Sequence, residues 1–140
     1  MNIDEVLETL RRDEGWSNYV YRDSLGYETI GYGFLVDERK SGGIPKEVGE
    51  FWLRYNVDGV INNLRRTIPQ FATMPEDVQH ALVNMAYQMG TAGLLSFEKM
   101  LAAIKAKNYE LAAHEALNSR WAQQTPNRAK RVANMIRYAE

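Results

Sequence analysis

The 140-residue chain contains no cysteine, only two histidines and no long apolar run. Without cysteine it forms neither disulfides nor thiolate metal sites, which fits synthesis in a reducing cytoplasm. His80 and His114 lack a set of ligand-spaced partners, so we expect no bound metal and no other cofactor. The acidic N-terminus predicts neither a signal peptide nor insertion into a membrane.

Charge is nearly balanced overall but unevenly distributed. The formal net charge is −1, with 9 basic and 15 acidic side chains in residues 1–98, and 8 basic and 3 acidic side chains in residues 99–140. Domains that bind nucleic acid are usually strongly basic, so a solvated helix surface is the simpler interpretation of the basic C-terminal part. We therefore expect no nucleic-acid partner. With 45% hydrophobic residues, the chain has enough apolar material for one compact domain or two closely packed lobes.

The first candidate for chemistry is Glu14. Helical spacing predicts an N-terminal helix over about residues 3–13, whose buried face carries Ile3, Val6, Leu7 and Leu10. Glu14 continues this apolar stripe and Gly15 is suited to end the helix. The helix dipole and burial would then both favour the protonated carboxylic acid over the carboxylate. The alternative is a structural carboxylate that simply reaches solvent from a helix end.

Two further candidates belong to a predicted β-hairpin. Asp23 begins a turn that ends at Gly26, and aromatic and β-branched residues flank the turn at 19–21 and 29–32. Asp23 and Thr29 would be near neighbours across such a hairpin. The alternative is that Asp23 only forms the turn. An acid in an apolar place, a second carboxylate at a polar turn and a hydroxyl meet the needs of glycoside hydrolysis, in which one acid protonates the leaving oxygen and one base activates water.

Three blocks of sequence strongly resemble the phage-type lysozymes of the T-even phage family, which are glycoside hydrolases of peptidoglycan. They are the run from Asp13 to Gly33, containing DEG and DSLGYETIGYG, then Asn84–Gly90 and Ser119–Arg131. The blocks follow the family's order and together extend over nearly the whole chain. The resemblance therefore implies both a fold and a set of functional residues.

By this resemblance, Glu14 is the general acid, while Asp23 and Thr29 hold the attacking water. The match also implies substrate-binding positions, for which structural packing is the alternative, at Leu35, Tyr87 and Gln88. Arg128 matches an arginine that faces the acid and tunes its ionisation. Relatives commonly have His where this chain has Phe34, and two further sugar-binding positions carry Met100 and Glu115. The resemblance therefore predicts the catalytic chemistry of this chain more securely than it predicts the affinity for substrate.

The implied fold is α+β with two lobes in one lysozyme domain. A helix and a small antiparallel sheet form the lobe of residues 1–44, a long helix over 45–66 joins the lobes, and residues 67–140 form a mainly helical lobe. Sequence signals place three helices in the last lobe at about 75–89, 96–107 and 109–118, and a fourth from a Thr125 N-cap through Arg137. Residues 36–43 are predicted to be a loop, shorter than in the family.

The implied activity is hydrolysis of the β-1,4 bond between N-acetylmuramic acid and N-acetylglucosamine, with inversion. The alternatives are a lytic transglycosylase acting on the same bond and a catalytically idle wall-binding or phage structural module. The expected partner is the peptidoglycan glycan strand, and the expected state is a monomer. Made in the cytoplasm of a bacterial host, such an enzyme would need a separate membrane-permeabilising protein to reach the periplasmic wall.

Overall fold

The computed structural model describes residues 2–36 and 43–140, and it divides into two compact units, Met1–Phe51 and Trp52–Glu140. The predicted loop at 36–43 lies mostly outside the described residues. The elements in chain order are α1 (Ile3–Glu14), β1 (Ser17–Arg22), β2 (Glu28–Gly31), β3 (Phe34–Leu35), α2 (Lys46–Thr67), α3 (Glu76–Leu95), α4 (Glu98–Lys105), α5 (Tyr109–Leu117), α6 (Arg120–Gln124) and α7 (Pro126–Arg137), with a 3₁₀ turn at Phe71–Thr73. This arrangement confirms the predicted α+β class.

Helix α1 begins and ends as its sequence predicts. The side-chain oxygen of Asn2 accepts a hydrogen bond from the N–H of Glu5 at 3.2 Å, which satisfies one of the free donors of the first turn. At the other end Gly15 takes a positive φ of 69°, and its N–H donates to the carbonyl of Arg11 at 3.0 Å. Glycine is suited to this position because it has no β-carbon to clash.

The expectation that α1 has a buried face is wrong for the unit to which it belongs. No residue of α1 is buried, and Ile3 and Leu10 are 55% and 49% exposed. The described residues of the same unit include only three short strands and the first turns of α2, which leave the apolar stripe uncovered. Helical spacing correctly predicted which residues share a face, but spacing cannot supply the surface that covers it.

The sheet of the first unit is antiparallel with β2 in the centre. Thr29 of β2 lies opposite Tyr21 of β1 on one side and opposite Leu35 of β3 on the other. The predicted hairpin is confirmed, and the chain turns once more through residues 32–33 to add β3. This strand was not predicted, because two residues are too few to establish an alternating pattern.

The core of the second unit is built around α3, as its nearly continuous apolar face predicts. Helix α3 packs against α7, and α5 packs against α4 and α7. The largest fully buried side chains come from these helices, from the end of α2 and from the 3₁₀ turn: Leu64, Phe71, Val78, Leu82, Met85, Leu94, Met100, Val132 and Ile136. No helix in the described part of the chain is long and apolar enough to cross a membrane.

Several local expectations for the helices need correction. The apolar residues of the helix predicted over 45–66 would be expected to point inward, yet only Leu64 of α2 is buried, and the exposed ones include Val48, Phe51, Trp52 and Tyr55. Ser96 is the predicted N-cap of the helix over 96–107, but it does not cap α4, because its hydroxyl donates to the carbonyl of Gly93 instead. Thr125 precedes α7 as predicted, yet its hydroxyl donates to the carbonyl of Trp121 in the unpredicted α6.

The helix predicted to end at about residue 89 has a break in helical geometry at Gly90 but does not end there. Gly90 has φ 81° and ψ 163° inside α3, so the helix is interrupted there before it resumes to Leu95. A side chain at this φ would be strained, which makes glycine the suitable residue. The break lies two residues after Gln88, which together with Tyr87 is a predicted substrate-binding residue of this helix.

Candidate active site

Glu14 is the last residue of α1, and its carboxylate lies against Gly33 in the turn between β2 and β3. A β-carbon built on Gly33 would stand 3.1 Å from Cδ of Glu14 and would overlap Oε2. Gly33 has φ +70°, so the absence of a side chain serves both the backbone conformation and the close approach. Among the described residues of its own unit, no donor hydrogen-bonds to the Glu14 carboxylate.

The predicted burial of Glu14 is not found in its unit, because the residue is exposed. Within this unit the carboxylate is therefore in contact with solvent. The unit does fix where the carboxylate lies, since the end of α1 places it against the glycine turn between β2 and β3. An accessible carboxyl group is suitable for meeting a substrate oxygen.

Asp23 is half-buried and organises the turn between β1 and β2. Its Oδ1 accepts hydrogen bonds from the N–H groups of Leu25 and Tyr27, each at 2.9 Å. Its backbone carbonyl accepts from the N–H of Gly26 at 2.9 Å, which confirms the predicted turn. The other carboxylate oxygen, Oδ2, accepts no hydrogen bond from the described residues. The turn role and the proposed chemical role therefore use different oxygens of one side chain.

Thr29 is 3% exposed and is the most buried polar side chain among the described residues. Its hydroxyl donates to the backbone carbonyl of Tyr27 at 3.2 Å. Because Asp23 accepts from the N–H of that same residue, the main chain of Tyr27 links the two predicted water-holding side chains. Sequence reasoning missed this anchor, since a backbone group leaves no signal in residue identity. Leu35, beside Thr29 in the sheet, is 48% exposed.

In the second unit, the predicted binding residues Tyr87 and Gln88 are both exposed on α3. The side-chain oxygen of Gln88 accepts a hydrogen bond from the indole N–H of Trp121 at 2.8 Å. Trp121 is itself largely buried, and its ring meets Phe97 edge-on at 6.0 Å. A buried indole therefore fixes the orientation of an exposed amide.

Arg128, the predicted acid-tuning residue, is half-buried near the start of α7. Its Nε donates to the side-chain oxygen of Asn84 at 2.9 Å, and its Nη2 donates to the carbonyl of Asn84 at 3.2 Å. Asn84 precedes Gln88 by one turn of α3, so two neighbouring residues on one face of α3 accept these three long-range hydrogen bonds. Arg128 and Asn84 occur in separate blocks of the sequence, and nothing in the spacing within either block predicts that they pair.

The two departures from the family's sugar-binding positions lie together in the second unit. Met100 and Glu115 both line a cavity of about 430 Å³, whose other walls include Phe97, Arg120 and Trp121. Met100 is 1% exposed and belongs to the hydrophobic core, so its side chain is mainly a packing residue. Glu115 lies on α5 at the half-buried margin of the cavity.

The first unit thus contains an accessible carboxyl group, a turn carboxylate and a buried strand hydroxyl, the residue types that the sequence analysis associated with glycoside hydrolysis. Comparison with known families agrees with this class, since the model of the family described as phage lysozyme matches residues 11–137. The chain belongs to the phage lysozyme family.

Individual relatives extend the comparison. The chain is 33% identical to the pre-baseplate central spike protein Gp5 of Enterobacteria phage T4, over 94% of this chain but only 27% of that protein. It is 27% identical to the probable T4-type lysozyme 1 of Dictyostelium discoideum, over 96% of this chain and 94% of that protein. It is also 27% identical to the peptidoglycan hydrolase gp36 of Pseudomonas phage phiKMV, over 86% of this chain and 14% of that protein.

Proposed function

We propose that this protein hydrolyses the β-1,4 bond between N-acetylmuramic acid and N-acetylglucosamine in peptidoglycan. Membership of the phage lysozyme family and similarity to a phage peptidoglycan hydrolase support cell-wall hydrolysis in general. The particular bond and the roles of individual residues are our proposal. In it, Glu14 donates a proton to the leaving oxygen, and Asp23 and Thr29 hold and activate the attacking water.

The geometry of the hairpin supports these roles. Glu14 is exposed and, within the described residues of its unit, its carboxyl oxygens have no hydrogen-bond donor, so they are available to a glycosidic oxygen. Asp23 is oriented through Oδ1, which leaves Oδ2 to accept a proton from water. The Thr29 hydroxyl donates to Tyr27 and still has lone pairs to accept a hydrogen bond from the same water.

The observation that carries the proposal is the common attachment of Asp23 and Thr29 to the main chain of Tyr27. Water is an effective nucleophile only when it is held in line with the bond that breaks. Two acceptors fixed to one residue of a tight turn keep a constant spacing, whereas two independent surface side chains would not. The proposed water site is therefore preorganised by the fold.

The test is the turbidity of a peptidoglycan suspension, followed by mass spectrometry of the soluble products. Hydrolysis predicts clearing and products with a free reducing end. Anhydro products, each lighter by one water, would instead identify a lytic transglycosylase. Absence of clearing with a correctly folded protein would favour the wall-binding or structural role, a possibility raised by the similarity to part of a phage spike protein.

The proposal also has a cellular part. We infer that a monomer made in the host cytoplasm acts on the periplasmic wall once a separate protein has permeabilised the inner membrane. Because peptidoglycan lies beneath the outer membrane of Gram-negative cells, protein added from outside should lyse them only after that membrane is permeabilised. Efficient lysis of untreated cells would contradict this and point to direct membrane activity of the basic C-terminal region.

A further inference from the structure

Three aromatic rings form a connected cluster on the first unit, next to Glu14. The rings of Trp16 and Tyr32 have centroids 5.0 Å apart and are tilted by 58°, and those of Tyr32 and Phe34 are 6.3 Å apart and nearly perpendicular. Trp16 is 63% exposed and Phe34 is 57% exposed. Large rings exposed side by side are less common on a protein surface than single exposed apolar residues, and such patches often mark binding sites.

The cluster is held in place rather than free to reorient. The ring of Phe34 lies against Gly31, where an added β-carbon would be 2.7 Å from the ring atom Cδ2. The indole N–H of Trp16 donates to the side-chain oxygen of Asn18, which fixes one edge of the ring. Rings that are already ordered lose little conformational entropy when a ligand binds.

The cluster is connected to the proposed acid through two segments of the chain. Gly15 alone separates Glu14 from Trp16, and Gly33, on which the Glu14 carboxylate lies, stands between Tyr32 and Phe34. A sugar whose glycosidic oxygen meets Glu14 would therefore lie near the backbone positions that carry these rings. Pyranose rings present C–H groups on their faces, and these pack well on the flat apolar face of an aromatic ring.

We propose that Trp16, Tyr32 and Phe34 form a stacking surface for an N-acetylated hexose of the glycan strand adjacent to the bond that is cleaved. This inference rests on the proposed function and names residues that determine its affinity. It also gives a role to Phe34, which the sequence comparison had marked as a departure. Where relatives commonly have the polar imidazole ring of His, this chain has an apolar phenyl ring that completes the aromatic surface.

The test measures binding separately from turnover. All variants carry Glu14→Gln, and calorimetry records their affinity for a soluble tetrasaccharide of alternating N-acetylglucosamine and N-acetylmuramic acid. Trp16→Ala and Phe34→Ala should each weaken binding by about threefold to tenfold, the range expected for loss of one aromatic contact. Phe34→Tyr retains a ring and should bind within about twofold of the parent.

Tyr19→Ala is the matched control, because Tyr19 is an exposed aromatic residue of the same sheet and, at 79% exposure, has no ring contact in the described residues. It should bind the tetrasaccharide as tightly as the parent. If the alanine variants unfold, the inference can be tested on the parent by NMR. The indole N–H resonance of Trp16 is identified by its loss in Trp16→Phe. It should shift when the tetrasaccharide is added. An unshifted resonance, or unchanged affinity in folded alanine variants, would overturn the inference.

The two hypotheses fail in different ways. If the unmodified protein does not hydrolyse peptidoglycan, the proposed function is wrong whatever the ring variants bind. If it does hydrolyse peptidoglycan and the folded ring variants bind the tetrasaccharide like the parent, only the stacking surface is wrong. A lowered unfolding temperature with unchanged affinity would assign the rings to packing and would likewise reject the surface.

Discussion

The carboxylate of Glu14 lies so close to the α-carbon of Gly33 that the smallest side chain at position 33 would overlap it. The end of α1 and the turn between β2 and β3 are thus fitted to each other at a residue without a side chain. Since the carboxylate belongs to the proposed general acid, this contact connects backbone conformation directly to chemistry. It also provides the most specific structural test of the site.

We predict that Gly33→Ala lowers kcat by up to about 100-fold, because a displacement of the acid by about 1 Å is enough to spoil proton transfer. The variant should also lose about 1–2 kcal/mol of stability, since a residue with a β-carbon is strained at φ +70°. Rates on a soluble glycan should be measured well below the unfolding temperature. A kcat within about twofold of the parent would show that the contact has no role in catalysis.

The control for this variant is Gly59→Ala in α2, where an added β-carbon meets nothing within 4 Å. Alanine is favoured over glycine inside a helix by about 1 kcal/mol, so the free energy of unfolding should rise by up to that amount. The kcat of this control should equal that of the parent. Comparing the two variants separates a local steric effect from a general effect of replacing glycine.

Replacing the acid itself should remove activity without unfolding the protein. Glu14→Gln keeps the shape of the side chain but cannot donate an acidic proton, and general acid catalysis is typically worth about 10² to 10⁴ in rate. Glu8→Gln, on the same exposed helix, serves as the control and should keep full activity. Activity of Glu14→Gln within a factor of about three of the parent would mean that another residue is the acid.

Thr29 allows packing and chemistry to be separated by two substitutions. Thr29→Val keeps the volume of this buried side chain but removes the hydroxyl that donates to Tyr27, so stability should fall by about 0.5–1.5 kcal/mol. Loss of the water contact should lower kcat by at least about tenfold, equivalent to about 1.4 kcal/mol. Thr29→Ser restores the hydroxyl and should recover most of kcat. Equal activity of the valine and serine variants would remove Thr29 from the mechanism.

The proposed water position predicts the stereochemistry of the product. Water held by Asp23 and Thr29 attacks the face opposite the leaving group, so the anomeric carbon should invert and the α anomer should appear first. In inverting enzymes the two carboxyl groups stand about 6.5–9.5 Å apart, which leaves room for the water. Proton NMR of freshly released product decides the question. A β anomer at early times would indicate a covalent or substrate-assisted route.

Arg128 donates hydrogen bonds to Asn84, and the contribution of these bonds to stability can be tested independently of any effect of Arg128 on the acid. We predict that Arg128→Met and Asn84→Ala each lower the free energy of unfolding by about 0.5–3 kcal/mol, and that the double variant loses less than the sum. Urea unfolding of the parent and the three variants forms the required double-mutant cycle. Strict additivity would show that the observed hydrogen bonds contribute no coupling. If Arg128 also serves the acid, only its own replacement should reduce kcat/KM strongly.

Much of the local structure could be predicted from the sequence because local rules determine it. Asn2 caps α1, Gly15 ends it, Asp23 to Gly26 forms a turn, and Gly90 interrupts α3, each as a short-range steric or hydrogen-bonding effect requires. The apolar periodicity of α3 likewise predicted the centre of the helical core. The two-residue strand β3 and the short helix α6 were not predicted, because neither is long enough to show a period.

The sequence by itself determined the family and the identity of the candidate residues, because residue types and their order are properties of the chain. Tertiary structure alone decided how those residues are held. The contact of Glu14 with Gly33, the attachment of Asp23 and Thr29 to Tyr27, and the pairing of Arg128 with Asn84 join groups whose proximity no local rule specifies. It also decided that the apolar stripe of α1 is exposed in its own unit. Burial depends on which surfaces meet, and that is a property of packing between elements rather than of spacing along one element.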